Sequence, residues 1–505
     1  MSNAAGYSYE AAQTGRLGGP WLGTDRDPNE DMYEVAEIAT RAAQLVRNDP
    51  VMAALKCAKI VGTHGEAGLN FRSLVELDDD SAETAPDTTT DAEADLRRRI
   101  DDIIQEASAG TNLDACGQMH RREFDEAMDE LATVHGEAFA VRAWLPDRPG
   151  AVTGSAWKLI RAQRVRNPPG EVNGPNLFEG ITLARDGSPD GIWIAPPMRL
   201  LAYDQNPKRD RSPRAGWQWV SWYDDAGVPS VIHRIGSRPP GAYRGVSMYA
   251  PNLTMAKQTK GCLDAYVVAK RIQACHPIFI KCSDPNAAAK KDRNGAVWGP
   301  NTTIEPGKTY YIGDEGEVSF PSWSFQGADM REFLDTLYRN QFAAWGLPID
   351  VVLAQLGETN MAASRSAWLQ YYRRCGIWQT DHINQMRHPM DVAIVAEALA
   401  VGKLSMPAGM TMKQLMRGRY IRPARAMPDP KKEAEAVQAW ADLGRDLTGL
   451  WAESGVDFRE STIQRASDNA WLKEYGVTAT EPTGTEAQAQ PEPTTDEADD
   501  APDAE

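Results

Sequence analysis

Along the first quarter of the chain, apolar residues return every three to four positions, the spacing of one helix face. Residues 32–62 line up Ala36, Ile38, Ala42, Leu45 and Val46, and Asn-Asp-Pro at 48–50 is expected to break and restart the helix. A second stripe, Leu96, Ile100, Ile103 and Ile104, predicts an amphipathic helix over residues 91–110. A third helix is expected from about Arg121 to Val134, stopping at Gly136. From 137 to about 235 the period changes to two. "EAFAVRAWLP", "SAWKLIRAQRVRNP", "LFEGITLARDGSPDGIWIAPP" and "GWQWVSWYDD" alternate apolar and polar residues between turn residues, with a hairpin turn at 185–188. Trp193, Trp217, Trp219 and Trp222 fall in this block and are read as core and cross-strand pairs.

Helical spacing returns at 251–275, where Pro251 suits a helix start. At about 1.5 Å per residue this helix spans on the order of 37 Å. Short strands and turns are expected over 276–327. A helix over 329–345 then carries Phe333, Leu337, Gln341, Phe342 and Trp345. Gly346 supplies a left-handed cap and Pro348 forbids continuation. A small polar stretch follows, Gln355, Gly357, Glu358, Thr359 and Asn360, before a helix that Thr359 or Asn360 can cap and that carries Trp368, Tyr371 and Tyr372. From 376 the chain reads as mainly helical, with Asp429 as cap and Pro430 at the first helical position of a late helix. The folded part is expected to end near Gly476.

Composition adds limits. The chain has 505 residues, 42% hydrophobic and 25% charged, as in globular proteins. No apolar run reaches the roughly 18 residues of a membrane span, and the N-terminus lacks the charged and apolar regions of a signal peptide. Six scattered cysteines without a Cys-x-x-Cys suggest a reduced compartment. The net charge of −17 is concentrated: residues 76–95 hold nine acidic groups and no basic one, and so do residues 481–505. Both stretches hold too little apolar surface to offset ordering entropy, so a solvated loop and a disordered tail are expected. The acidic balance argues against a sequence-specific DNA clamp, but not against a surface past which DNA slides.

Catalytic chemistry is hard to find. There is no phosphate-binding loop, dinucleotide fingerprint, His-Glu-x-x-His or nucleophile elbow. Cys275, His276 and Cys282 make at most half a zinc site, and Asp78, Asp79 and Asp80 read as solvated charge. No metal or cofactor is expected. Lys257, Lys260, Lys270 and Arg271 lie along the 251–275 helix, with Arg331 and Arg339 on its return partner. They read as a solvated face, as ion pairs between subunits, or as weak phosphate contacts along a passage.

Several strings, in order, resemble one family. They are "RAAQLVRNDPVMAALKCAKIVGTHGEAGLNFR", "HGEAFAVRAW", "RVRNP" with "FEGITLARDGSPDGIWI", "VIHRIGSRPPGAYRGVSMYAP", "FLDTLYRNQFAAWGLPIDVVLAQLGETNMAASRSAW" and "PARAMPDPKKEAEA" with "SGVDFRE". Over about residues 32–475 the chain resembles the portal proteins of tailed double-stranded-DNA phages, in their lambda-like family. The acidic insert at 76–95 departs from that pattern. The resemblance implies an α+β portal fold. Its parts would be an N-terminal arm (1–31), a wing of helices and antiparallel strands (32–248), an outbound stem helix (249–275), a small β-rich clip (276–327), a return stem helix (328–346), a tunnel loop (347–363), a long helix and wing–crown junction (364–428), crown helices (429–475) and a disordered acidic tail (476–505).

The same resemblance implies a non-enzymatic ring, commonly of about twelve subunits, at one capsid vertex of the virion, assembled in the host cytoplasm without contact to a membrane. Double-stranded DNA would pass through it without sequence specificity. The terminase large subunit, the major capsid protein, scaffold and head–tail connector or adaptor proteins would be its partners. Gln355, Gly357, Glu358, Thr359, Asn360 and Arg365 would line the channel on the tunnel loop, Gly346 and Pro348 would form its hinge, and Lys257, Lys260, Lys270 and Arg271 would be stem candidates for facing DNA. The alternatives are another ring-forming head–tail adaptor and a nucleic-acid-processing enzyme.

Overall fold

The computed structural model describes residues 27–29, 34–77, 91–151, 153–197, 216–275, 278–299, 308–313, 327–354, 361–424, 430–453 and 455–474. The chain divides into two units, Met1–Pro423 and Ala424–Glu505.

In the first unit, α1 (Val35–Asn48) and α2 (Pro50–His64) meet at Asp49. The Asp49 carboxylate accepts from the Val51 and Met52 amides at 2.9 and 3.1 Å, and Pro50 starts α2 without an amide to satisfy. The expected break is therefore real. The α1 face is shifted, because Ala39 and Ala42 are its buried residues and Ala36 is exposed. Strand β1 (Asn70–Ser73) follows, then α3 (Asp91–Ser108) with Ile100, Ile103 and Ile104 buried, then α4 (Arg121–His135), closed by Gly136 at φ 97°. The acidic stretch is anchored at both margins: Glu76 pairs with Arg417, and Glu93 of α3 accepts from the Leu77 amide at 2.8 Å. Residues 78–90 lie outside the described residues.

Two antiparallel sheets form the β-rich part. In the first, β2 (Glu137–Trp144) lies between β3 (Ser155–Arg161) and β8 (Val231–Ile235). The second is a meander of β4 (Leu177–Phe178), β5 (Ile181–Leu183), β6 (Pro189–Ile194) and β7 (Gln218–Ser221). The expected hairpin turn joins β5 to β6, the Ala184 amide donating to Ser188 and the Gly187 amide to Ala184.

Helix α5 (Leu253–Cys275) leaves the sheets behind a turn holding Pro251. Beyond it lie β9 (Ile278–Lys281), α6 (Pro285–Lys291), β10 (Gly295–Val297) and β11 (Thr309–Ile312). The sequence reading missed α6, although Asp284 caps it at 3.1 Å and Pro285 opens it. The small sheet runs β10-β11-β9 and is parallel throughout, with α6 as the crossover from β9 to β10. Helix α7 (Gly327–Ala343) returns, and α8 (Ile349–Val352) follows.

A long helix then runs as α9 (Met361–His382), a π-helical turn (Ile383–Arg387) and α10 (His388–Ala400). Pro389 explains the wide turn. A proline there supplies no amide and crowds the carbonyl four residues back, so the backbone loosens just ahead of it. Helix α11 (Met412–Leu415) leads to β12 (Gly418–Ile421), which pairs antiparallel with β1, Asn70 opposite Ile421.

The second unit holds α12 (Pro430–Asp442), α13 (Leu447–Glu453) and α14 (Phe458–Glu474). Its Asp429 cap and its tail lie outside the described residues. Leu450 is buried there and Trp451 meets Phe458 at 6.0 Å. No helix of the described residues is long and apolar enough to cross a membrane.

Candidate functional site

The residues that introduce α5 are held by a buried polar lock. Glu137 opens β2 right after Gly136. One carboxylate oxygen accepts from the His233 ring and from the Gly245 amide, each at 2.8 Å, and the other accepts from Arg244 Nε. The Arg244 guanidinium also donates to the carbonyls of Val165 at 3.0 Å and Ala162 at 3.1 Å. Phe139 stacks on His233 at 4.2 Å, and Arg244 lies 5.7 Å over the same phenyl ring. Gly136 and Gly245 meet backbone to backbone, since a Cβ on Gly245 would sit 2.3 Å from the Gly136 carbonyl oxygen. Burial alone would raise the Glu137 pKa; Arg244, then His233 and the Gly245 amide, overcome that and lower it from 4.5 to about 2.

From this lock the chain enters the root of α5. Tyr249 donates to the Met52 carbonyl at 2.8 Å and packs on Trp345 at 4.7 Å. Asn252 donates to the Gln341 carbonyl at 3.0 Å, and the Gln341 amide donates to Thr259 at 3.1 Å. Buried polar bonds therefore join the start of α5 to the end of α7, so the two helices form one antiparallel pair at its root.

The expected stop after α7 is a Schellman cap. Gly346 takes φ 70°, its amide donates to Ala343, and the Leu347 amide donates to Phe342. Phe342 and Leu347 are both buried, which adds the apolar contact typical of this cap. Pro348 then opens α8, with Ile349 and Val352 buried beneath it. Residues 347–354, expected as the first part of a protruding loop, are instead packed into the core around Trp345. Gln355, Gly357, Glu358, Thr359 and Asn360 lie outside the described residues. Arg365 is exposed in the second turn of α9.

Lys257, Lys260, Lys270 and Arg271 are all exposed on α5. At about 100° per residue, Lys257, Lys260 and Arg271 share one arc, and Lys270 lies at least about 80° away. Asp264 falls within that arc and Val267 and Val268 flank it on either side, so it is a mixed stripe rather than a basic one. Lys260 donates to the Asn48 carbonyl at 3.1 Å, at the negative end of α1, and Lys270 lies 5.5 Å over the Tyr266 ring. Leu263, Val267 and Val268 on α5, and Phe333 on α7, are exposed in the single chain.

A second buried network, which the sequence reading missed, ties the long helix to the sheets. Asp129 of α4 accepts from Lys59 and from Arg234, each at 2.7 Å. Asp125, one turn earlier, accepts from Arg387 at 2.6 Å. Arg121 donates to Asp391 at 3.1 Å, and Tyr420 of β12 donates to Asp391 at 2.8 Å. Gln385, in the π-helical turn, accepts from Arg234 at 3.0 Å and from the Ile235 amide at 2.8 Å. The wide turn before Pro389 thus places Gln385 and Arg387 in the network. His64 and His382 are buried edge to face at 4.6 Å. Burial, then His64, hold the His382 pKa well below 6.5. Carboxylates spaced four apart on an apolar helix face were the available signal, at Asp125 and Asp129.

No catalytic constellation is assembled by these residues, and among the described residues no group of three or more His, Cys, Asp or Glu side chains could hold a metal ion. The site is a rooted pair of helices with a small sheet at its far end. The chain belongs to the lambda family of phage portal proteins, whose sequence pattern matches residues 14–379. Membership makes it a structural virion protein of the phage type. No curated protein matches it. Among solved structures, a chain described as "Virion of native gene transfer agent (GTA) particle" is similar at 14% identity and a TM-score of 0.39, over 80% of this chain and 89% of that one.

Proposed function

We propose that copies of this chain close into a ring, on the order of twelve subunits, around a channel through which double-stranded DNA is packaged and ejected at one capsid vertex. The observation that carries this reading is the paired α5 and α7, bolted at one end and apolar on their flanks. Leu263, Val267, Val268 and Phe333 are exposed in a lone chain, and neighbouring copies would cover them. The charged residues beside them, Lys257, Asp264 and Arg271, are exposed and suit contacts between copies as well as passing phosphates. On this reading the Schellman cap at Gly346 fixes the start of the segment that would bring Gln355, Gly357, Glu358, Thr359 and Asn360 to the channel. The small parallel sheet is the proposed docking point of the terminase motor and later of connector proteins, and its outer strands β9 and β10 are edges that a ring can pair or shield. Capsid protein and scaffold would contact the body around it.

Electron microscopy of the purified chain tests this. Annular particles with an open centre are expected, and Val267→Glu with Val268→Glu should abolish them while leaving the circular-dichroism spectrum unchanged. A chain that stays monomeric at all concentrations, in solution and in particles, overturns the reading.

A further inference from the structure

The meander sheet β4–β7 turns Ile181, Ile192 and Val220 into a core and presents its other side outward. On that side Trp193 faces Trp219 across β6 and β7. The Trp219 indole donates to Thr182 at 3.2 Å and lies over Gly191, where a Cβ would come within 2.7 Å of the ring. Arg166 stacks on Trp217 at 5.5 Å beside it. Trp219 is nonetheless 44% exposed and Tyr223 53%. An indole fixed by a hydrogen bond and a glycine bed is a built aromatic surface, unlike scattered exposed apolar residues.

We propose that this face seats the chain's own N-terminal arm, residues 1–26. The arm joins the described chain at the core side of the same sheet, from which it reaches the outer face by passing one edge. Asn29 donates to the Gly241 carbonyl at 3.2 Å and accepts from the Tyr243 amide at 3.0 Å. Tyr243 in turn packs on Phe178 of β4 at 5.8 Å, and its hydroxyl lies 3.3 Å from where a Cβ of Gly187, in the β5–β6 turn, would stand. Four strands are about 15 Å across, whereas 26 extended residues reach about 85 Å. The tether therefore keeps the arm at high local concentration over the face. Its chemistry fits as well. Tyr7, Tyr9, Leu17, Trp21 and Leu22 offer rings and aliphatic groups, and the charged side chains of residues 1–26, Glu10, Arg16, Asp25 and Arg26, balance. That is the reverse of the acidic stretches at 76–95 and 481–505.

The test uses the full chain with the photoreactive p-benzoylphenylalanine at position 21 in place of Trp21. Irradiation is expected to join the arm to residues 191–195 or 217–223 of the same polypeptide, and Trp219→Ala should cut the adduct about tenfold. Adducts confined to other segments, adducts between isotopically light and heavy copies, or a yield indifferent to Trp219→Ala overturn the proposal. Removing residues 1–26 gives an independent measurement: amide exchange over 218–221 should rise about tenfold, and unchanged exchange also overturns it.

Discussion

Around Glu137, a carboxylate, a guanidinium, an imidazole and two facing glycines are buried together. Around Tyr310, at the far end of the paired helices, the core is three rings: Phe279 with Trp298 at 5.3 Å, Phe279 with Tyr310 at 5.4 Å, and Trp298 with Tyr310 at 5.5 Å. Of these only Tyr310 is fully buried, and Ile278, Ile280, Val297 and Trp298 are exposed. The contrast separates two jobs. The root fixes the direction in which α5 leaves the body, and directional hydrogen bonds do that better than nondirectional apolar contact. The distal sheet has a shallow core and, among the described residues, no strand beyond β9 or β10, which suits a part completed by other molecules.

Removing the centre of the root should have the largest effect. Glu137→Ala leaves Arg244 buried without its carboxylate, and breaking such a pair from one side costs about 3–5 kcal/mol. Urea unfolding should register that loss. Arg244→Ala on top of it should add much less than it costs alone, because the two act as one unit. Full additivity would mean that the lock is not a lock.

Acid attacks the same region by another route. The folded-state pKa of Glu137 is depressed from 4.5 to about 2, and those of Asp125 and Asp129 are lowered too, against the penalty of burial, by Arg387 and Arg121 and by Lys59 and Arg234 respectively. Depressed carboxylates contribute stability that is present above the unfolded value and lost as pH falls toward the folded one. His233 and His382 are also lowered, chiefly by burial, so the unfolded chain takes up protons first below 6.5 and stability begins to fall there. Thermal midpoints measured from pH 7 to pH 3 should therefore decline in two stages, below 6.5 and again below 4.5. The Glu137 share is about 3 kcal/mol, and Glu137→Gln should flatten the second stage. A midpoint constant down to pH 3 would contradict both stages.

The Gly346 cap closes α7 at the root end of the pair, next to Trp345, and turns the chain toward the next helix. Gly346→Val with Pro348→Ala forces a branched residue into the left-handed region, at roughly 1–3 kcal/mol, and frees the path of the chain beyond. Rings should still form, because the Glu137–Arg244 lock and the hydrogen bonds from Asn252 and Gln341 are untouched, while the double mutant should fail to fill heads with DNA. DNA-filled heads at the normal level would remove the cap from the mechanism.

How much of this was legible in the sequence follows the same divide. Local signals read correctly: Asp49-Pro50, the turn at 185–188, Gly136 and Gly346 each act through their own backbone chemistry. The strings "HGEAFAVRAW" and "VIHRIGSRPPGAYRGVSMYAP" stood out as family-like, but nothing local says that Glu137, His233 and Arg244 converge. The β1–β12 pair joins Phe71 to Tyr420 across most of the chain, and no window contains both. Nothing in the sequence marks Lys59, Asp129 and Arg387 as buried, since charged residues usually stay at the surface; burial in pairs is a tertiary fact. Trp219 failed the other way: it pairs across strands as expected, yet it is not core. The stretch 347–363 expected as loop begins in a packed segment, where Leu347, Ile349 and Val352 are buried; Gly346 and Pro348 mark where a helix stops, not whether the chain beyond them leaves the core.

Phe279→Ala offers the smallest global effect and the cleanest division of the two regions. The phenyl ring touches both other rings of the distal core, so its loss should open β9, β10 and β11 together. Truncating a core phenylalanine ordinarily costs about 3–5 kcal/mol. Here that cost falls on a part whose opening does not require the body to unfold, because only α5 and α7 connect them. Amide exchange over 278–281 and 309–312 should therefore rise sharply, while the urea midpoint of the body shifts by less than about 0.5 kcal/mol in stability. Exchange over 137–141 and 231–235, where Glu137 and His233 sit, should not change. If it rises in step with the distal strands, the far end is not an independent part but a continuation of the root, and the division of labour drawn from Glu137 and Tyr310 fails.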